Sequence, residues 1–413
     1  MAIDKLQTDA LSNTVTATVA SFAIGANVSI NSSAVFFGNS TINTVMTASS
    51  LTIANVSLNS STIVIGSGKI AAGGVTLPSN FGVSSNTTNL LENRGGQLFF
   101  NGRRVDLVNE YGGTNPAVYG YAMGGNDGVA VVAKTDRITF STSATAASTV
   151  SNLSAARYFA AGVSDCNIYG YVMGGENSGR KNTTDRITFS TSVTAASTVS
   201  NLSVARYYLA GTSDGYIYGY AMGGDSGAGT AATDRITFST SVTSASTVSN
   251  LSTVRWAMAG VSDGSIYGYS LGGYTGAYVA TTDRITFSTS ATAASTVSNL
   301  SSARQSDGCS DGVVYGYVMG GYSTTYAATT DRVTFSTSVT TASTVSNLSI
   351  ARYGVAGVAD GVLYGYAMGG QPSGAQVVTT DRITFSTSAT AASTVSNLSS
   401  VRAYFPGLSD GAV

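Results

Sequence analysis

Histidine is absent from all 413 residues, which removes the commonest general base and the commonest transition-metal ligand. Imidazole-based triads and copper-oxidase chemistry are thereby excluded, and no metal or other cofactor is expected. Charge is scarce as well: 20 Lys and Arg stand against 21 Asp and Glu, for a net charge of -1. No basic field exists to draw a phosphate backbone, so nucleic acid is not an expected partner. The only two cysteines, Cys166 and Cys309, occupy non-equivalent places, and a disulfide framework is not expected. No apolar run reaches the length of a membrane span. The opening stretch MAIDKLQTDALSNTVTATVASF has neither a basic start nor an uninterrupted apolar core. Neither membrane insertion nor a signal peptide is expected.

What is abundant is glycine, with 48 residues, alongside Ser, Thr, Asn and Ala, while hydrophobic residues make up 43%. That is the composition of β-structure and turns, with enough apolar content for a sizeable core. The block YGYAMGG, or a close variant, begins at Tyr119, Tyr169, Tyr218, Tyr267, Tyr315 and Tyr364, a period of about 49 residues. Each copy is followed by TDRITFSTS or TDRVTFSTS, and then by ASTVSNLS. An arginine comes next, at 157, 206, 255, 304, 352 and 402, and then a turn of the SDG type. Each unit thus offers four short strand-like runs punctuated by glycine turns. In the second run the bulky Tyr169, Tyr171 and Met173 alternate with Gly170 and Val172, so a bulky face can meet a neighbour's small face.

Four strands per repeat, none able to bury both faces alone, imply an all-β, six-bladed propeller over residues 114–413. The aromatic strand ending in a double glycine resembles the kelch repeat, although ASTVSNLS stands where kelch repeats carry an outer-strand tryptophan. The register at the two ends adds a further expectation. No arginine-led strand precedes the first YGYAMGG, yet the chain ends with VRAYFPGLSDGAV. Residues 402–411 should therefore complete the first blade beside residues 119–125, tying the ends of the ring together and removing an exposed sheet edge.

Residues 1–113 lack the repeat. A segment 1–30 is read as an anchor. Residues 31–113 are read as an extended β-rich shaft, with the runs NVSI, AVFFG, TVMTA, SLTIANVSL, STIVIG and KIAAGGVTL, and a QLFFNGRRVDLV hairpin turning at Asn-Gly. Six Phe and no Trp make a thin core, which favours one shared between copies. This texture resembles the shaft segments of tailed-phage fibre and virion appendage proteins. The resemblance implies a homotrimer, attached to other virion proteins through the N-terminus and assembled in the host cytoplasm, with a distal knob facing a host-surface glycan or protein. A tail fibre is the leading expectation and a capsid decoration or head fibre the alternative.

Six copies within one chain permit an internal comparison. The six Asp-Arg pairs, the six strand-leading arginines and the six turn aspartates supply 24 of the 41 charged residues. Their recurrence in every blade marks them as structural bridges and turn caps. Variation concentrates in the connection between the double-glycine strand and the TDR strand, and in the three residues after the arginine: YFA, YYL, WAM, QSD, YGV and AYF. In an antiparallel blade both places fall on one face of the disc. That face should carry Tyr158, Phe159, Tyr207, Tyr208, Trp256, Tyr274, Tyr278, Tyr322, Tyr326, Tyr353 and Tyr404, with Arg180 and Lys181 on one loop. Exposed aromatics of this kind suit sugar faces or a protein surface. Catalysis is not expected. Glycan hydrolysis needs two placed carboxylates, and only Asp127, Glu176, Asp225 and Asp307 in the propeller are not repeated.

Overall fold

The computed structural model describes residues 117–411 together with five short strands nearer the N-terminus. The chain divides into two compact units, Met1–Val75 and Thr76–Val413. In the first, Val28–Ile30 pairs antiparallel with Val35–Phe37, on the expected NVSI and AVFFG runs. In the second, Leu91–Arg94, Gln97–Phe100 and Arg103–Arg104 form a three-stranded sheet in which Phe100 faces Arg103 across the Asn-Gly position. The other four β-runs of the shaft reading lie outside the described residues, as does the anchor segment apart from Val28–Ile30.

Residues 117–411 form six four-stranded antiparallel sheets, one per repeat. In the second blade, Ala161–Ser164 is innermost, followed outward by Tyr169–Met173, Thr184–Thr188 and Val193–Ser197. Blades three, four and six repeat this order with near-identical register. The first blade takes its innermost strand from the far end of the sequence: Gly407–Ser409 pairs with Tyr119–Met123. Ring closure by the C-terminal strand is thus as the repeat register requires.

The blades pack through one apolar cluster per interface. Between blades two and three, Tyr171 and Met173 meet Ala221, Ile236 and Phe238, with Tyr171 stacked on Phe238 at 5.9 Å. The partner face must be small for this to close. A Cβ on Gly219 would lie 2.9 Å from Val163, Ile236 and Phe238 alike. Each buried tyrosine also reaches the next blade with its hydroxyl, as Tyr171 does to Ser241 at 2.7 Å. The ASTVSNLS block adds a second line of links between blades. The buried Ser200 donates to the Ser241 carbonyl at 2.6 Å and accepts from Thr243 at 2.9 Å.

Closest to the axis, the inner strands approach so tightly that only glycine fits. A Cβ on Gly260 would sit 1.9 Å from the Gly211 carbonyl oxygen, and one on Gly357 2.0 Å from that of Gly308. Beside these glycines, Ser213 donates to the Ser164 carbonyl and Ser262 to that of Ser213, tying blade to blade around the axis.

The recurring charges are structural, in an arrangement that the sequence order conceals. Asp and Arg of each TDR strand do not serve one another. The aspartate pairs with the strand-leading arginine that precedes it by one repeat, as Arg157 does with Asp185, Arg206 with Asp234 at 2.8 Å and Arg352 with Asp381 at 2.9 Å. All six pairs are buried. Burial pulls the pKa of Arg206, Arg255, Arg352 and Arg402 down, and the facing carboxylate opposes that shift. The TDR arginine instead lies over a tyrosine ring, as Arg186 does over Tyr169 at 4.3 Å. Each turn aspartate caps its turn, Asp263 accepting the N–H groups of Ser265, Ile266 and Tyr267.

Candidate functional site

The double-glycine strands and the strand-leading arginines end on the same face of the disc, as the strand order requires. A specific backbone pairing joins the two variable places. The residue after each arginine bridges to the residue after each double glycine: Tyr158 to Glu176, Tyr207 to Asp225, Trp256 to Tyr274 and Tyr353 to Gln371. Blade five does the same with Gln305 and Tyr322. Its hairpin is longer, with strands Tyr315–Tyr322 and Tyr326–Thr334, and Tyr322 directly opposite Tyr326.

All eleven aromatics expected on this face are brought into one continuous series of ring contacts. Trp256 touches Tyr274, which touches Tyr278, which touches Tyr322. Tyr322 and Tyr326 both reach Tyr353, and Tyr353 reaches Tyr404 at 5.1 Å. From Tyr404 the series continues through Phe159 to Tyr208, whose ring centre is 3.7 Å from that of Phe159. Tyr158 and Tyr207 flank that pair. Arg180 joins the edge, paired with Asp225 at 3.0 Å and lying 5.6 Å from the Tyr207 ring centre.

In one respect the expectation is corrected. The aromatics are half-buried rather than exposed, because each ring leans on the next. Desolvation by those neighbours raises the pKa of Tyr158, Tyr207, Tyr208, Tyr278, Tyr353 and Tyr404, so these hydroxyls stay protonated and able to donate. The face is therefore a continuous aromatic surface with hydroxyl edges and little charge.

Around the axis this surface rests on an unusual backbone. Phe159, Tyr208 and Tyr404 have φ of 55°, 59° and 66°, a left-handed conformation that bulky residues rarely adopt. What holds them there is a relay of hydrogen bonds between blades. The N–H of Ala257 donates to the Tyr208 carbonyl, Tyr208 to Phe159, Phe159 to Tyr404, and Tyr404 to Gly354. Blade five breaks the relay. Ser306 is not left-handed, and the Asp307 carboxylate accepts from the N–H groups of Gly354 and Val355.

The four non-repeated carboxylates are dispersed in role. Asp127 caps its own loop through the N–H groups of Val129 and Ala130, and those bonds hold its carboxyl below the usual range. Asp225 is tied to Arg180, while Glu176 lies by Tyr158 and Tyr207. Asp307 stands near the axis beside Phe159, Tyr208, Tyr353 and Tyr404 of the aromatic face, and was not itself among the residues expected to bind. Its signal was present in the repeats: the residue before the axial glycine is Ala161, Ala210, Ala259, Ala356 or Pro406 in the other five blades and aspartate only here, where the segment after the arginine is one residue shorter. Among the described residues no cluster of three or more His, Cys, Asp or Glu could hold a metal ion, and no helix is long and apolar enough to cross a membrane.

No protein-family model matches the chain, and no curated protein matches it.

Proposed function

We propose that the propeller is a recognition module that binds a surface glycan, or a protein displaying one, through its aromatic face, without turning its ligand over. The observation that carries this reading is the continuous series of eleven aromatic side chains. All of them come from the positions at which otherwise near-identical blades differ. Rings already packed together lose little entropy on binding, and tyrosine offers both an apolar face for a sugar ring and a hydroxyl for its edges.

The double-glycine strand and the repeat length support a kelch-like origin for the blades. The shaft-like sequence of residues 31–113 supports mounting the propeller as the distal knob of a virion appendage. In that role it would be a trimeric tail fibre that attaches to a host surface.

A glycan array probed with the full chain tests the binding role. Selective binding to a few glycans, weakened at least tenfold in Trp256→Ala and in Tyr322→Ala but unchanged in Ile217→Ser on the opposite face, is the expected result. Equal binding by all three variants, or none to any glycan or host-surface protein, would sink the reading. Light scattering on the full chain tests the mount: a trimer supports it and a monomer removes it.

A further inference from the structure

Near the axis on the aromatic face, a cavity of about 50 Å³ is lined by Phe159, Tyr208, Tyr353 and Tyr404 on one side and by Gln305, Ser306 and Asp307 of blade five on the other. One water needs roughly 10–15 Å³ of such space, so the cavity holds a group a few atoms across and not a sugar ring. Three observations show what that group must be. First, Asp307 is the only residue with a formal charge among those lining the cavity, and no arginine or lysine stands there to neutralise it. Second, Ser306 is only 5% exposed, and its hydroxyl has no hydrogen-bond partner within the protein. Buried hydroxyls are seldom left in that state unless something else is meant to bond them. Third, four of the remaining lining residues, Phe159, Tyr208, Tyr353 and Tyr404, are aromatic, and ring faces attract positive charge.

We infer that this cavity takes the protonated amino group of an amino sugar, held by the Asp307 carboxylate and the Ser306 hydroxyl between the rings of Tyr208, Tyr353 and Tyr404. A primary ammonium has the donors that both oxygens need, whereas a quaternary ammonium has none to offer. Beyond the cavity mouth, the sugar ring itself would lie on the aromatic surface. The inference rests on the reading of this face as a glycan-binding face and names the substituent it selects.

Blade five also shows the arrangement to be local. In the neighbouring blades the place of Asp307, opposite Met319 and next to the axial glycine, is filled by Ala259 and Ala356, both packed in the apolar clusters between blades. Burial among such walls pushes the Asp307 carboxyl up to about 7, against the pull of the Gly354 and Val355 N–H groups. An ammonium group beside it would favour the charged form.

Titration calorimetry of the full chain at pH 7 with a glucosamine tetramer and with its fully N-acetylated counterpart tests this directly. The expected result is a preference of at least tenfold for the free amine, abolished in Asp307→Asn and in Asp307→Leu and reduced several-fold in Ser306→Ala. The Asn variant keeps an acceptor for the Gly354 and Val355 N–H groups, so it separates loss of charge from loss of fold. Equal affinity for the two tetramers, or an unchanged preference in Asp307→Asn, would overturn the inference while leaving glycan binding by the Trp256 side intact. Failure of Trp256→Ala to weaken any glycan would instead remove the underlying reading. Tighter binding of an Nα-acetyl-lysine amide than of the amino sugar would also overturn the assignment, in favour of a protein ligand.

Discussion

On the face of the disc that carries the SDG-type turns, each blade does the same thing. An aspartate gathers N–H groups, a tyrosine follows, and a phenylalanine closes the third strand against the neighbouring blade. On the opposite face no two blades carry the same three residues after the arginine: they read YFA, YYL, WAM, QSD, YGV and AYF. Both faces are made from one duplicated unit, so the difference cannot come from the fold's requirements. The constant face and the axis hold what a blade needs in order to stack. The variable face holds what remains free once stacking is secured, and it is there that aromatic residues have accumulated.

This division can be broken or sharpened by substitution. The largest effect is expected on the constant side, at the axis. In Gly260→Ala the new methyl would meet the Gly211 carbonyl oxygen at 1.9 Å, a clash with backbone that no rotamer change relieves. A loss of more than about 4 kcal/mol, or failure to fold, is expected in chemical denaturation, since overpacking and backbone strain combine. Next comes Arg206→Ala, which leaves Asp234 buried without its partner and should cost about 3–5 kcal/mol. A cost below 1 kcal/mol would show that the buried pairs are not what fixes the blade.

On the variable side the expected signs change. Asp307→Ala replaces a desolvated carboxyl with the residue found at the same place in blades two, three, four and six, and should stabilise the protein by about 1–2 kcal/mol at pH 8. The pH dependence follows from linkage. The carboxyl's folded-state value of about 7 lies above its ordinary value of 3.8, so the folded state holds a proton that the unfolded state has released. Its contribution is full below about pH 4 and is lost as pH rises to 7. The tyrosines facing it, Tyr208, Tyr353 and Tyr404, are held protonated well above this window. Thermal melts of the two proteins should therefore differ at pH 8 and converge near pH 4. The smallest effect is expected for Arg180→Ala. Its pair with Asp225 is solvent-exposed, so its loss should change stability by less than about 1 kcal/mol.

The architecture was legible because it is written six times. Blade number, strand order, closure by the C-terminal strand and the shared face of the variable segments all follow from period and register, which need no knowledge of contacts. The partner of each arginine was not legible. Asp136 and Arg137 are neighbours in sequence, but adjacent residues on a strand point to opposite faces, so each must find its partner elsewhere. The half-burial of the aromatics was equally hidden, because it depends on rings from different blades converging near one axis. Asp307 was visible as an exception to an apolar column. That it lines a cavity beside an unpartnered serine could be seen only once Phe159, Tyr208 and Tyr404 had been placed by their left-handed backbone.

The strand Gly407–Ser409 sets a condition on how this ring comes into being. Val118 and Asp410 are hydrogen-bonded across 292 residues of sequence. Closing so long a loop adds little to the equilibrium cost, since each doubling of length adds only about 0.6 kcal/mol. In time, however, it is decisive. Blades two to six can form in order as the ribosome delivers them, while the first waits, with one edge bare, for residues 407–409, which follow every other strand of the ring. Until then that edge is open to the strand of any neighbouring chain, so the latch that completes the finished ring is also the point at which nascent copies are most exposed to one another.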